Sequence, residues 1–167
     1  MVFKSNGKFL FTGEYLVLKG ATALALPLKK GQSLDVEILD GNEGLIHWDA
    51  FYKSTVNGQQ SMVNSQTHWF SAVLNKNDFS IKSTDDKEKA ERLSDILSKA
   101  KSLNGEIFTD SHDYSFRTLL DFDPQWGLGS SSTLINNVAE WAEINPYKLL
   151  DQTFQGSGYD IACAKSN

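Results

Sequence analysis

Pro124-Gln125-Trp126-Gly127-Leu128-Gly129-Ser130-Ser131-Ser132-Thr133 stands where one periodicity gives way to another. Before it, Tyr114, Phe116, Thr118, Leu120 and Phe122 alternate on one face, the pattern of a half-buried strand over Tyr114–Asp123. After it, Leu134, Ile135, Val138 and Trp141 fall at helical spacing, predicting an amphipathic helix from about Ser131 to Ala142. Gly127 and Gly129 permit backbone conformations that turn successive N–H groups inward as a nest. The helix start adds unpaired N–H groups and a positive dipole end. The hydroxyls of Ser130, Ser131 and Ser132 can donate to phosphate or ligate Mg²⁺. A tight turn with a serine N-cap is the plainer reading. Gly-x-Gly-Ser-Ser-Ser set directly on a helix start is richer than a cap needs and reads as a phosphate-binding loop. It is not a Walker A loop, because no lysine follows Gly129. Nor is it Gly-x-Gly-x-x-Gly or the Gly-x-Ser-x-Gly of a hydrolase elbow.

Working outward, the first half of the chain reads as β. Phe9–Phe11 and Tyr15–Leu18 flank Thr12-Gly13-Glu14, Ala23–Leu26 is a short apolar run ended by Pro27, and Leu34, Val36 and Ile38 alternate within Ser33–Leu39. Asp40-Gly41 is a hairpin signal that predicts a meander into Leu45–Trp48 and Phe51–Val56, with a further turn at Asn57-Gly58. Gln59–Gln66 reads as a loop and Trp69–Leu74 as a strand. Apolar residues at Ala90, Leu93, Leu97 and Ala100 then predict a helix between Thr84 and Leu103, capped by Ser83 or Thr84 and ended at Asn104-Gly105 in a left-handed turn. Asn145-Pro146 opens a third helix to Phe154. The order suggests an α+β fold, a mixed sheet with helices on one face.

Two more clusters carry polar chemistry. Lys8 and Glu14 bracket the first strand. Asp160 follows a flexible glycine pair in Gly156-Ser157-Gly158-Tyr159-Asp160, where an aspartate is either a general base or an N-cap. Composition narrows the classes further. The chain of 167 residues is long enough for one domain, and 40% hydrophobic with 22% charged residues is globular rather than disordered. A net charge of −5, with Arg92 and Arg117 the only arginines, argues against nucleic-acid binding. The single Cys163 excludes an intrachain disulfide, and no run is apolar enough to span a membrane. A soluble cytoplasmic protein is expected. His47, His68 and His112 fit no metal-ligand spacing, and Asp110-Ser111-His112-Asp113 reads as a solvated loop. Trp69 and Trp141 read as core, Trp126 as a neighbour of nucleotide or of core, and Cys163 as a buried small residue.

Together the clusters resemble the superfamily of galactokinase, homoserine, mevalonate and phosphomevalonate kinases (GHMP kinases). Ser5-Asn6-Gly7-Lys8 followed by Gly13-Glu14-Tyr15 resembles the family's first motif, Gly127-Leu128-Gly129-Ser130-Ser131 its ATP-phosphate loop, and Gly156–Asp160 the segment with the catalytic aspartate. The Gly158-Tyr159-Asp160-Ile161-Ala162 string resembles a bacterial subfamily of phosphomevalonate-kinase-like members. The resemblance implies the family's N-terminal domain, a sandwich with a left-handed βαβ unit. It also implies ATP and Mg²⁺ as cofactors, and phosphoryl transfer to a hydroxyl or phosphate of a small metabolite such as mevalonate or phosphomevalonate. Gly127 to Ser130 would cradle phosphates with Ser132 beside them, Ser131 would ligate Mg²⁺, and Glu14 would join the polar network of the site. Asp160 would take the substrate proton, and Lys8 would keep Asp160 ionised.

Three departures bear on activity. Ser5 and Asn6 replace the family's usual Ala and Pro. Leu149 stands where mevalonate kinases carry a metal-binding glutamate. The family's third motif and C-terminal domain are not in the sequence, so 1–167 is expected to be a single N-terminal unit, short of catalysis alone. The alternative is a diverged, non-catalytic nucleotide-binding module that dimerises through an exposed apolar patch. A small-molecule substrate is expected in either case, with no membrane or nucleic-acid partner.

Overall fold

In the computed structural model, which describes residues 1–13, 16–54 and 65–166, six strands form one mixed sheet. They are β1 (Val2–Thr12), β2 (Leu24–Leu39), β3 (Leu45–Lys53), β4 (Gln66–Asn75), β5 (Ile81–Thr84) and β6 (Asp113–Leu120), in the spatial order β1-β2-β6-β3-β4-β5. β3 and β6 run parallel, and the other described neighbours are antiparallel. Helices α1 (Lys87–Leu103), α2 (Ser130–Trp141), α3 (Pro146–Thr153) and α4 (Tyr159–Ala164) complete the α+β architecture expected from the sequence. Leu34, Val36, Ile46, Leu74 and Phe116 on the sheet pack with Leu97, Ile135, Val138 and Leu149 on the helices. Burying such a side chain contributes about 1.5–3 kcal/mol. Phe116 stacks on Trp48 at 5.1 Å and meets the edge of Trp141 at 4.9 Å, so one aromatic column ties α2 to the sheet.

The meander expectation fails. β6 enters between β2 and β3, so Asp40-Gly41 is a turn but not a hairpin joining hydrogen-bonded strands. The turn wraps the start of β6: Asp113 N–H donates to Gly41 O at 2.9 Å, and a Cβ on Gly41 would lie 2.2 Å from the Asp113 carboxylate. A local turn signal specifies the bend and leaves the partner open. β2 also runs straight through Pro27. Between Leu24 and Gly31 its described partner is β1 alone, so a missing N–H breaks no ladder on the other side.

Other boundaries shift for local reasons. Leu16–Leu18 is not strand; Val17–Lys19 forms a 3-10 turn closed by Gly20 at φ 83°. The α1 cap is Asp86, whose carboxylate accepts from Lys89 N–H at 3.1 Å, while Thr84 Oγ1 accepts from Asp86 N–H. Asn104 ends α1 in an extended conformation at φ −133°, and its Nδ2 donates to Ala142 O at 2.8 Å. α4 is a helix the sequence reading left out. Asn57-Gly58, Val56 and most of Gln59–Gln66 lie outside the described residues. No described helix is long and apolar enough to cross a membrane.

Candidate functional site

β1 approaches the glycine–serine loop as closely as backbone allows. A Cβ on Gly7 would lie 2.9 Å from both Leu128 O and Lys30 O, so only glycine lets the strand pass between β2 and the loop. Directly after it, Lys8 N–H donates to Leu128 O at 2.8 Å. Strand and loop are thereby joined at the residue whose side chain the sequence reading marks as catalytic.

The loop itself begins with a 3-10 turn, Pro124–Trp126, whose Asp123 carboxylate accepts from Gln125 N–H. Gly127 at φ 67° and Gly129 at φ 93° are both left-handed, a conformation that strains any residue with a Cβ. At Gly129 an added Cβ would also lie 2.9 Å from Lys8 Cγ and from Ser132 Oγ. Gly129 is the N-cap of α2 and offers no side-chain acceptor, so the first N–H groups of the helix have no capping side chain. Ser130 and Ser131 face a cavity, whereas Ser132 is buried and donates back to Gly129 O at 2.9 Å.

The third component is the first turn of α4. Gly158, left-handed at φ 80°, caps it against the Tyr147 ring. Lys8 Nζ sits 5.5 Å over the ring of Tyr159, next to the half-buried Asp160. Cys163, one turn on, is buried. Burial pushes its thiol up, the Asp160 carboxylate pushes it further, and the Lys8 ammonium acts the other way. Asn6 Nδ2 donates to Ser166 O at 2.5 Å and ties the end of α4 to β1. Lys8 therefore meets the loop through its backbone and the first turn of α4 through the Tyr159 ring, and among the described residues no ion pair joins it to Asp160. Glu14 lies outside the described residues.

Sequence reasoning missed the cavity next to the loop. It encloses about 280 Å³ between the sheet and α1, with Trp48, Trp69 and Phe70 on its apolar side and Ser130 and Ser131 at its mouth. Lys89 Nζ lies 5.7 Å over the Trp69 ring and pairs with the Asp86 carboxylate, so α1 presents a cation and an aromatic face together. These residues are scattered over a hundred positions of sequence, and no local pattern joins them.

Solved structures share this arrangement of strands and helices. The fold is that of the mevalonate kinases. A crystal structure of the Methanococcus jannaschii mevalonate kinase superposes with a TM-score of 0.57 at 15% identity, covering 91% of this chain and 46% of that one. A second mevalonate kinase structure gives 0.52 at 14% identity, with the same 91% and 46% coverage. The chain thus spans about half the length of these neighbours. No protein-family model matches the chain, and no curated sequence matches it significantly.

Remaining candidates resolve by burial. Leu149 is fully buried in the core, where it packs against its neighbours and offers no metal ligand. No described group of three or more His, Cys, Asp and Glu could hold a metal ion. Asp110, Ser111 and His112 form an exposed loop as expected, held by the buried Lys76, which donates Nζ to Asp110 O at 2.7 Å and to His112 O, whereas Asp113 opens β6 buried and accepts from Leu45 N–H at 2.8 Å. Those backbone donors hold the Asp113 carboxyl below its ordinary range. Trp126 is half exposed with Lys30 Nζ 5.6 Å from its ring, Trp69 and Trp141 are partly buried against the core, and Cys163 is buried.

Proposed function

We propose that this chain is the nucleotide-binding half of an ATP-dependent small-molecule kinase of the GHMP type. What supports the reading is that Lys8 is hydrogen-bonded through its backbone to Leu128 of the glycine–serine loop and reaches the ring of Tyr159, the residue before Asp160. A helix cap needs none of that company. The loop residues fit a phosphate group, since Gly129 occupies a position that a Cβ would fill and α2 opens without a capping side chain.

In this reading, the N–H groups of the loop hold the phosphates. The adjoining cavity takes the base between Trp69, Lys89 and the sheet, at a volume near the lower end for ligand pockets. Ser131 and the phosphates would hold Mg²⁺, which when bound neutralises charge on the transferring group. Asp160 accepts the proton of the substrate hydroxyl as its oxygen bonds to the γ-phosphorus and the bond to ADP breaks. Lys8 stabilises the charge that builds on the transferred oxygens. Mevalonate and phosphomevalonate are the first substrates to try.

Titration calorimetry with Mg²⁺ and a non-hydrolysable ATP analogue tests the binding half. Wild type should bind, and Ser131→Ala should weaken binding about tenfold, one charge-assisted contact. A coupled ADP assay against a panel of hydroxylated acids and their phosphates tests the chemistry, with Asp160→Asn as the inactive control. Binding without turnover on any substrate would favour a non-catalytic nucleotide module, a reading to which the buried Leu149 lends weight.

A further inference from the structure

Helix α2 is buried on two sides. Ile135, Val138 and Ala139 enter the apolar core, while Ser132, Thr133, Asn136 and Asn137 are buried against β1 and β2. Polar side chains in such a place cost stability unless each finds a partner. Here they form a continuous seam. Thr133 Oγ1 has Gln32 Oε1 at 2.9 Å and, as competing acceptors for its one proton, Gly129 O and Ser130 O at 3.0 Å, and Asn137 Nδ2 donates to Gln32 O at 3.0 Å. Ser5 Oγ donates to Asn137 Oδ1 at 2.7 Å, and Asn136 Nδ2 donates to Ser5 Oγ at 2.9 Å. Asn136 Oδ1 is a buried atom of the seam without a partner among the described residues.

An apolar seam would pack in several registers. This one favours the register seen, because moving β1 by one residue turns Ser5 to the other face of the sheet and leaves Asn137 Oδ1 without its donor. Fixing register is the best-attested use of buried polar groups. What is registered is specific. Ser5 lies three residues before Lys8, and Thr133 lies four residues after Gly129. The two ends meet where Lys8 N–H bonds to Leu128 O and where Gly129 faces the Lys8 side chain.

We propose that Ser5, Gln32, Thr133 and Asn137 are positioning residues, whose buried hydrogen-bond seam sets the register of the phosphate loop on β1 and so holds Lys8 against the nucleotide phosphates. The second clause rests on the nucleotide reading above. The register itself does not.

The test uses the full chain and two readouts: affinity for Mg²⁺ with a non-hydrolysable ATP analogue, and hydrogen exchange of the Lys8 amide relative to amides of β3 and β4. Thr133→Val keeps the shape and removes the hydroxyl. It should weaken binding at least tenfold and speed relative Lys8 exchange at least tenfold, and Thr133→Ser should return both to within threefold of wild type. Ile46→Val, a core change away from the seam, should lower the urea midpoint and leave both readouts within twofold. Should Thr133→Val not fold, Ser5→Ala at the other end should move both readouts the same way by threefold or more. A Thr133→Val chain that loses stability yet keeps wild-type affinity and Lys8 exchange would reduce the seam to packing and overturn the proposal. If wild type binds no nucleotide, the kinase reading fails on its own. Lys8 exchange then still decides the register: faster exchange upholds it, and unchanged exchange overturns it.

Discussion

α1 and α2 have the same signature in sequence and opposite surroundings in the fold. Both are amphipathic, and both bury their apolar stripe in one core. α1 turns its polar side to solvent, where Lys87 pairs with Glu91 and Arg92 with Glu88 on exposed surface. α2 buries part of its polar side as well, with Thr133, Asn136 and Asn137 out of contact with water. α1 starts on a charged cap, Asp86, whereas α2 starts on Gly129 with nothing in the cap position. The difference separates a helix that covers a sheet and lines a cavity from one that also aims a loop.

The contrast is open to attack by substitution. Leu97→Ala in α1 should cost about 3 kcal/mol by leaving a cavity, while the folded fraction binds nucleotide as wild type does; urea denaturation with calorimetry checks both. Asn137→Leu in α2 strands the Ser5 hydroxyl and the Gln32 carbonyl, at about 2 kcal/mol. Unlike the α1 change it should also lower nucleotide affinity, and a loss of stability alone would erase the distinction between the helices.

Acid should separate the helices too. The N–H and ammonium of Lys89 hold the Asp86 carboxyl below its ordinary range. The folded state therefore binds fewer protons there than the unfolded state. That contribution is complete above an unfolded value near 4 and is lost as pH falls through the folded value. Between pH 6 and pH 3, the amides of Lys89 and Ala90 should lose exchange protection ahead of Thr133, whose helix has no titrating cap. The smallest effects come last. Asn136→Leu removes two hydrogen bonds together with an unpaired acceptor and should change stability by less than about 1 kcal/mol. Ser98→Ala on the exposed side of α1 should stay within about 0.5 kcal/mol.

These contrasts also mark what was legible in the sequence. Periodicity located α1, α2 and β6, because one buried stripe is a local property, and the Asn145-Pro146 cap located α3. The glycine–serine loop was legible because its chemistry is contiguous. Strand order was not: Asp40-Gly41 announces a bend, and only the pairing of β6 with both β2 and β3 determines what lies beside it. The buried polar side of α2 was invisible because Thr133, Asn136 and Asn137 look like solvent residues until Ser5 and Gln32 stand opposite. Asp113 was misjudged for the same reason, as a charged residue whose backbone partner Leu45 lies far away in sequence.

The central claim is that the loop at the head of α2, with Lys8 and the cavity beneath α1, forms one nucleotide site. The most direct test is an amide and indole NMR titration of the full chain with Mg²⁺ and a non-hydrolysable ATP analogue. The account predicts shifts confined to Lys8, Gly127–Ser131 and the Trp69 indole. Saturating ligand with no shift there, or shifts gathered around Arg117 on the opposite face of the sheet, would contradict it.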